Sequence, residues 1–153
     1  MDGKRLRTYR TQYGLTQAAV AARAGMRQPD IAALESGRRT SAEALRRARD
    51  AVVSLARPST GLADPEIRAR LRAVLEAAGA TDIRVFGSVA SGSDAPGSDV
   101  DLIARFPETT DLFDVMRVEE ELEDILGVPV DVVSDDPEVD YALLDAKSQA
   151  VPL

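Results

Sequence analysis

The fold is decided by one stretch of sequence, FGSVASGSDAPGSDVDL, which runs from Phe86 to Leu102. Upstream of it, residues 81–86 alternate polar and apolar side chains, which predicts a half-buried strand that leads directly into the glycines of the stretch. Downstream, apolar residues alternate with Asp99 and Asp101, which suggests a second strand. Side chains two positions apart on a strand share a face, so we expect these two carboxylates to lie side by side.

Paired carboxylates of this kind predict a metal site. Two neighbouring carboxylates repel each other and are stable together only when a positive charge compensates them. An oxygen-ligated divalent cation is the simplest compensation, and Mg²⁺ typically takes one or two carboxylates together with substrate phosphates. The glycines and serines of the stretch provide backbone that a phosphate could approach closely. The alternative is a polar hairpin loop with two solvated aspartates, and an isolated Asp-x-Asp pair would favour it.

The complete pattern is more specific than the two aspartates. Between two strands, G-S-x-A-x-G-x(5)-S-D-x-D-L resembles the signature of minimal nucleotidyltransferases (MNT) of the polymerase-beta-like superfamily. The residues that carry it are Gly87, Ser88, Ala90, Gly92, Ser98, Asp99, Asp101 and Leu102. The resemblance implies a small α/β domain with a mixed sheet, two Mg²⁺ ions held by the aspartates, and ATP as substrate, with its triphosphate bound by Gly87 and Ser88. Many relatives carry a basic residue where this chain has Ser91.

A third aspartate lies on a later strand. Residues 109–126 are predicted to form a helix, and the apolar run VPVDVV at residues 128–133 is predicted to form a strand that contains Asp131. An isolated carboxylate on such a strand is costly unless it is paired or binds a metal, but Asp131 could instead point to solvent from an edge strand. The resemblance places a third carboxylate on this strand and predicts that Asp99, Asp101 and Asp131 are catalytic residues and metal ligands. Residues 139–150 are predicted to form a final helix.

Composition excludes several kinds of chemistry. The 153 residues include no cysteine and no histidine, which excludes disulfides, thiol nucleophiles, zinc sites built on imidazole and a histidine general base. No apolar run approaches the ~20 residues that span a bilayer, so we expect a cytoplasmic protein that does not bind membranes. Residues 1–60 carry a net charge of +7 and residues 61–153 a net charge of −14. This asymmetry predicts two units with different partners.

The basic segment is predicted to be all-helical. Glycines separate short amphipathic helices, Thr16 is a candidate N-cap for the second helix, and Thr40 with Glu43 predicts a capping box for the fourth. From Leu15 to Gly37 the pattern L-T-Q-x(3)-A-x(3)-G-x(2)-Q-x(2)-I-x(2)-L-E-x-G resembles the phage-repressor (Xre-like) helix-turn-helix family. The alternative is a small helical interaction module whose arginines are only solvated.

The resemblance implies that the third helix enters the major groove of DNA. Side chains near its start are the candidates for contacting bases; they are Arg27, Gln28, Asp30 and Ala32. The candidates for contacting phosphates are Gln17, Arg38 and Arg39. One such module covers little DNA, so we expect a dimer or a higher complex on the operator.

The sequence therefore predicts an α+β protein with an Xre-like domain at residues 1–57, a linker at 58–64 and an MNT domain at 65–153. This fusion resembles the antitoxin of a HEPN/MNT-type toxin–antitoxin system. The resemblance implies Mg-dependent transfer of AMP from ATP to a tyrosine of a HEPN ribonuclease toxin, and repression of the operon. One alternative is an antitoxin and repressor that inhibits by contact alone. Another is a small-molecule nucleotidyltransferase, for which no further domain is available to enclose the acceptor.

Overall fold

The structure is a computed structural model that describes residues 1–135 and 144–153. Its first part is a bundle of four helices, α1 (Gly3–Gln12), α2 (Gln17–Ala24), α3 (Gln28–Glu35) and α4 (Ala42–Leu55). Thr16 caps α2 as predicted, because its side chain accepts a hydrogen bond from the Ala19 N–H. The predicted cap of α4 was wrong by one residue. Ser41, not Thr40, is the N-cap, and its hydroxyl accepts a hydrogen bond from the Ala44 N–H.

The second part is a mixed sheet with helices packed against it. Its elements are α5 (Pro58–Leu62), α6 (Pro65–Ala77), β1 (Thr81–Phe86), α7 (Gly87–Ala90), β2 (Val100–Arg105), α8 (Leu112–Leu126), β3 (Val130–Ser134), α9 (Leu144–Gln149) and β4 (Val151–Pro152). The strand order is β3-β2-β1-β4. Strand β1 is antiparallel to β2 and β4, whereas β2 and β3 are parallel. The predicted fold class, a helical domain followed by an α/β domain with a mixed sheet, is confirmed.

Four elements differ from the sequence prediction in detail. The segment predicted as a linker contains α5, whose first residue is a proline. Helix α8 begins at Leu112, three residues later than predicted, because Asp111 and Asp114 form a capping box there. Strand β4 was not predicted, since two residues are too few to show alternation. Of the predicted helix at 139–150, α9 covers residues 144–149, and residues 136–143 lie outside the described residues.

The core lies between the sheet and helices α6 and α8. Alternation along the strands turns one set of apolar side chains towards these helices; the set includes Val85, Leu102, Ala104, Val130 and Val132. The opposite face carries Asp101 and Asp131, which occupy paired positions on β2 and β3. The core therefore fixes which face of the sheet is free for chemistry.

The helical bundle packs directly against the second part. The hydroxyl groups of Tyr9 and Tyr13 donate to the carbonyls of Asp124 and Leu126 at the end of α8, both at 2.8 Å. A Cβ on Gly127 would lie 2.5 Å from the Tyr9 ring, so the close approach requires glycine. Burial raises the pKa of Tyr13 to about 12. Buried residues of both parts form one continuous hydrophobic cluster.

Within the described part of the chain, no helix is both long and apolar enough to cross a membrane.

A buried ion pair joins α1 to α3. The Arg10 guanidinium donates to the two carboxylate oxygens of Glu35 at 2.6 and 3.0 Å, and the side chains are 13% and 4% exposed. Arg10 also donates to the Leu15 carbonyl at 2.8 Å. Burial alone would raise the pKa of Glu35, but hydrogen bonds from Arg10 and Gln17 lower it overall. Glu35 is thus a charged group whose loss would leave a cation buried without its partner.

We predict that Glu35→Ala destabilises the protein by about 3 kcal/mol, because removing one partner of a buried pair leaves the other uncompensated. Urea denaturation at pH 7 measures this change. Arg117→Ala is the control, since it breaks an exposed pair with Asp114 and should leave the free energy of unfolding nearly unchanged. Equal losses in the two variants would contradict the prediction.

A second buried carboxylate fastens α9 to the sheet. Asp135, which directly follows β3, pairs with Lys147 at 2.5 Å, with Arg84 at 2.6 Å and with Arg105 at 3.9 Å. The Lys147 ammonium is the main cause that lowers the pKa of Asp135, although burial opposes it. The charged form of Asp135 therefore stabilises the folded state.

We predict that Asp135→Asn lowers the free energy of unfolding at neutral pH and makes it less dependent on pH. A lowered pKa in the folded state contributes stability that is complete above the unfolded pKa of about 3.9 and is lost as the pH falls through the folded value. Urea denaturation from pH 7 to pH 2 measures this effect. The wild-type protein should exceed the variant most at neutral pH, and the difference should shrink in acid. A difference that stays constant with pH would show that the carboxylate charge is not the cause.

Candidate active site

Three aspartates converge at one end of the sheet. Asp101 on β2 and Asp131 on β3 are paired residues of the parallel ladder, and Asp99 lies just before β2. One carboxylate oxygen from each lies within 4.8 Å of the others. Asp99 and Asp131 are exposed and Asp101 is half-buried. Strand β3 is an edge strand, and a solvent-facing Asp131 was one of the two interpretations of the sequence. The Asp131 carboxylate nevertheless belongs to the cluster.

The cluster consists of acids, and no cation of residues 1–135 or 144–153 pairs with it. Burial, followed by the charges of Asp99 and Asp131, raises the pKa of Asp101. None of the ion pairs found among residues 1–135 and 144–153 includes a member of the cluster. Three carboxylates with convergent oxygens form the donor set that Mg²⁺ prefers. The residues present therefore fit a divalent metal site.

Gly87 is required by both its backbone and its surroundings. Its φ is +68°, a left-handed conformation that favours glycine. A Cβ there would lie 2.4 Å from Oδ2 of Asp101. The chain thus passes directly over an aspartate of the cluster as it leaves β1.

The predicted Gly-Ser loop begins with one turn of helix, α7, which Gly87 and Ser88 open. N–H groups in the first turn of a helix have no intrahelical acceptor, so they can donate to a bound anion. The Ser91 hydroxyl donates to the Ser88 carbonyl at 3.1 Å, and its oxygen lies 2.8 Å from the Ser93 hydroxyl oxygen. It therefore stabilises the end of the turn locally.

Sequence reasoning missed Asp94. This side chain is 3% exposed and accepts a hydrogen bond from the Ser59 N–H at 2.9 Å. An aspartate in a Gly- and Ser-rich loop is normally solvated, so the sequence carried no signal of its burial.

Five of the seven DNA-binding candidates fall into two hydrogen-bonded groups. In the first, Gln28 donates to Gln17 at 2.6 Å, and Gln17 donates to Glu35 at 2.9 Å. Glu35 connects this group to Arg10, its partner in the buried ion pair. The side chains at the start of α2 and α3 are therefore held in a fixed relation to each other.

The second group centres on Asp30. Its carboxylate pairs with Arg27 at 3.2 Å and with Arg39 at 3.1 Å. The Arg27 hydrogen bond is the main cause that lowers the pKa of Asp30. Arg38 donates to the Ser36 hydroxyl at 3.0 Å, and Ala32 is half-buried on α3. The anion among the predicted DNA contacts is thus neutralised by two arginines.

Comparisons with known proteins agree with this architecture. The family described as "Nucleotidyltransferase domain" matches residues 67–151, and the family described as "Helix-turn-helix domain" matches residues 3–58. A protein of Methanocaldococcus jannaschii named "putative protein adenylyltransferase" is 35% identical over 69 residues, which span 45% of this chain and 74% of that protein. "Protein adenylyltransferase MntA" of Thermococcus cleftensis is 37% identical over 67 residues, which span 44% of this chain and 68% of that protein.

A solved structure described as "Structure of putative minimal nucleotidyltransferase" is 40% identical, with a TM-score of 0.49, and the match spans 57% of this chain and 93% of that one. The nucleotidyltransferase match extends over more than half of the chain, and it includes all three aspartates of the cluster. The chain therefore belongs to the nucleotidyltransferase domain family, as an enzyme whose catalytic domain follows an N-terminal helix-turn-helix domain.

Proposed function

We propose that the protein is an antitoxin that transfers AMP from ATP to a tyrosine of a partner HEPN ribonuclease toxin and represses its own operon. The observation that carries the proposal is the cluster of Asp99, Asp101 and Asp131, whose carboxylate oxygens lie within 4.8 Å of one another. A protein acceptor is supported by relatives that are named protein adenylyltransferases. The antitoxin role and the HEPN partner rest on the resemblance of the two joined modules, and the domain boundaries at residues 57 and 65 remain predictions.

In the proposed reaction the tyrosine oxygen attacks the α-phosphorus of ATP, the bond to the β-phosphate oxygen breaks, and pyrophosphate leaves. Asp99 and Asp101 would hold two Mg²⁺ ions, and Asp131 would bind the ion nearest the acceptor. When bound, the ions neutralise the phosphate charge and stabilise the attacking and leaving oxygens. The N–H of Gly87 and the hydroxyl of Ser88 would orient the triphosphate. A carboxylate oxygen of Asp131 would accept the proton of the tyrosine hydroxyl.

The exposure of the cluster supports a large acceptor. Asp99 and Asp131 are exposed, so the site is open on the side that an acceptor would approach. A small acceptor would need walls that exclude water, whereas a protein could provide those walls from its own surface.

Inhibition by contact alone is the competing function. A protein that only covered its partner would have no need of three converging acids, and their mutual repulsion would cost stability. The cluster therefore favours the enzyme.

We predict that Asp99→Asn together with Asp101→Asn reduces AMP transfer by roughly 10³-fold, because the metal contributes several kcal/mol of charge stabilisation. The protein is mixed with the product of its neighbouring gene in Mg-ATP, and the intact mass of that product is recorded. An increase by one or more AMP units is expected with the wild-type chain.

Asp82→Asn is the matched control for this experiment. Asp82 is an aspartate of the same domain with φ +51°, a conformation that asparagine also tolerates. This variant should transfer AMP at the wild-type rate. A stable complex whose mass does not change would favour contact inhibition and contradict the proposed reaction.

We predict that Arg38→Ala weakens the binding of operator DNA and of unrelated DNA by about the same factor, because a phosphate contact carries no sequence information. The slope of log affinity against log salt should decrease by about 0.9. Gln28→Ala is the contrasting variant, for which a loss of about 1–3 kcal/mol should be confined to the operator. Fluorescence anisotropy across a salt series measures both effects. Binding that neither substitution affects would contradict the assigned DNA-binding surface.

A further inference from the structure

One buried carboxylate has no role in the proposed reaction, and it lies between the catalytic loop and the linker. Asp94 belongs to the loop of residues 91–99, which connects α7 to β2, and it is 3% exposed. Its Oδ2 accepts a hydrogen bond from the N–H of Ser59, the second residue of α5, at 2.9 Å. A buried carboxylate is costly unless it is hydrogen-bonded. This contact therefore holds two segments together that are 35 residues apart.

The same loop also contacts the segment just before the linker. The Gly97 N–H donates to the Ala56 carbonyl at 2.9 Å. Gly97 has φ +84°, and a Cβ there would lie 3.5 Å from the Ser54 carbonyl oxygen at the end of α4. The chain therefore contacts the loop on both sides of Pro58, through Ala56 before it and Ser59 after it.

The loop is also fixed where it joins the catalytic domain. At its start, the Ser93 N–H donates to the Ser88 carbonyl at 2.9 Å. At its end, the N–H of the buried residue Val100 donates to the Pro129 carbonyl at 3.0 Å. Asp99 is the last residue of the loop, directly before this anchor, whereas Asp101 and Asp131 lie on strands whose relative positions are set by the β2–β3 ladder.

We propose that Asp94 is a positioning residue for the metal site, because its hydrogen bond to Ser59 holds the loop where Asp99 meets Asp101 and Asp131. The inference rests on the proposed function, which makes those three aspartates the metal ligands. Ligand sets must be held within about 0.5 Å of the productive geometry to bind well. Without its tie to the linker, the loop would let Asp99 drift from the other two carboxylates. The segment after the helix-turn-helix domain would thus contribute to metal affinity without touching the metal.

The test is the affinity of the full chain for Mn²⁺ alone, measured at pH 7 from the electron paramagnetic resonance signal of free Mn²⁺. Asp94→Ala should raise the dissociation constant about tenfold, the lower end of the range for residues that orient metal ligands. Asp94→Asn keeps an oxygen that can accept the Ser59 N–H, so it should bind Mn²⁺ nearly as the wild-type chain does. Ser59→Pro removes the donor and leaves the loop sequence unchanged, and it should weaken binding as Asp94→Ala does.

Glu35→Ala is the matched control, because it removes a buried carboxylate of the helix-turn-helix domain. It should lower the melting temperature and leave Mn²⁺ affinity unchanged, which separates positioning from a general loss of stability. Lower melting temperatures with unchanged Mn²⁺ affinity in Asp94→Ala and Ser59→Pro would overturn the inference and leave the proposed function intact. If the wild-type chain does not bind Mn²⁺, or if binding survives Asp99→Asn with Asp101→Asn, the proposed function fails and the inference fails with it.

Discussion

Mutual repulsion among three carboxylates is the constraint on which the catalytic domain depends. Asp99, Asp101 and Asp131 place oxygens within 4.8 Å of one another, and burial together with the other two charges raises the pKa of Asp101. The parallel ladder, the absence of a side chain at Gly87 and the anchored loop hold the group together against this repulsion. A divalent cation would compensate the charge of these three carboxylates, which no ion pair within the described residues does.

The helix-turn-helix domain is part of the same packed body. Tyr9 and Tyr13 supply donors to carbonyls at the end of α8, which have no intrahelical partner. The segment after α4 contacts the loop that leads to Asp99, through Ala56 and Ser59. The N-terminal part of the chain therefore contacts both segments that lead into the strands of the site. These segments are residues 124–129 and 91–99.

Local chemistry made much of the fold predictable. Thr16 caps α2 as predicted, because a side-chain acceptor acts within a few residues. The prediction was wrong where two neighbours offered similar caps, and Ser41 replaced Thr40. Strand β4 was missed because its position depends on pairing with β1, a partner more than 60 residues away.

The sequence by itself determined the chemical class of the site. The spacing of Asp99 and Asp101 and the glycines before them are local properties, and so is the charge difference between the two halves of the chain. Tertiary structure decided the rest. It brought Asp131 beside Asp101 through the parallel ladder, and it buried Asp94 against the linker. Spacing along the sequence shows neither contact, because each joins residues 30 or more positions apart whose meeting depends on how the whole chain packs. Asp131 was assigned to the site only through the family resemblance.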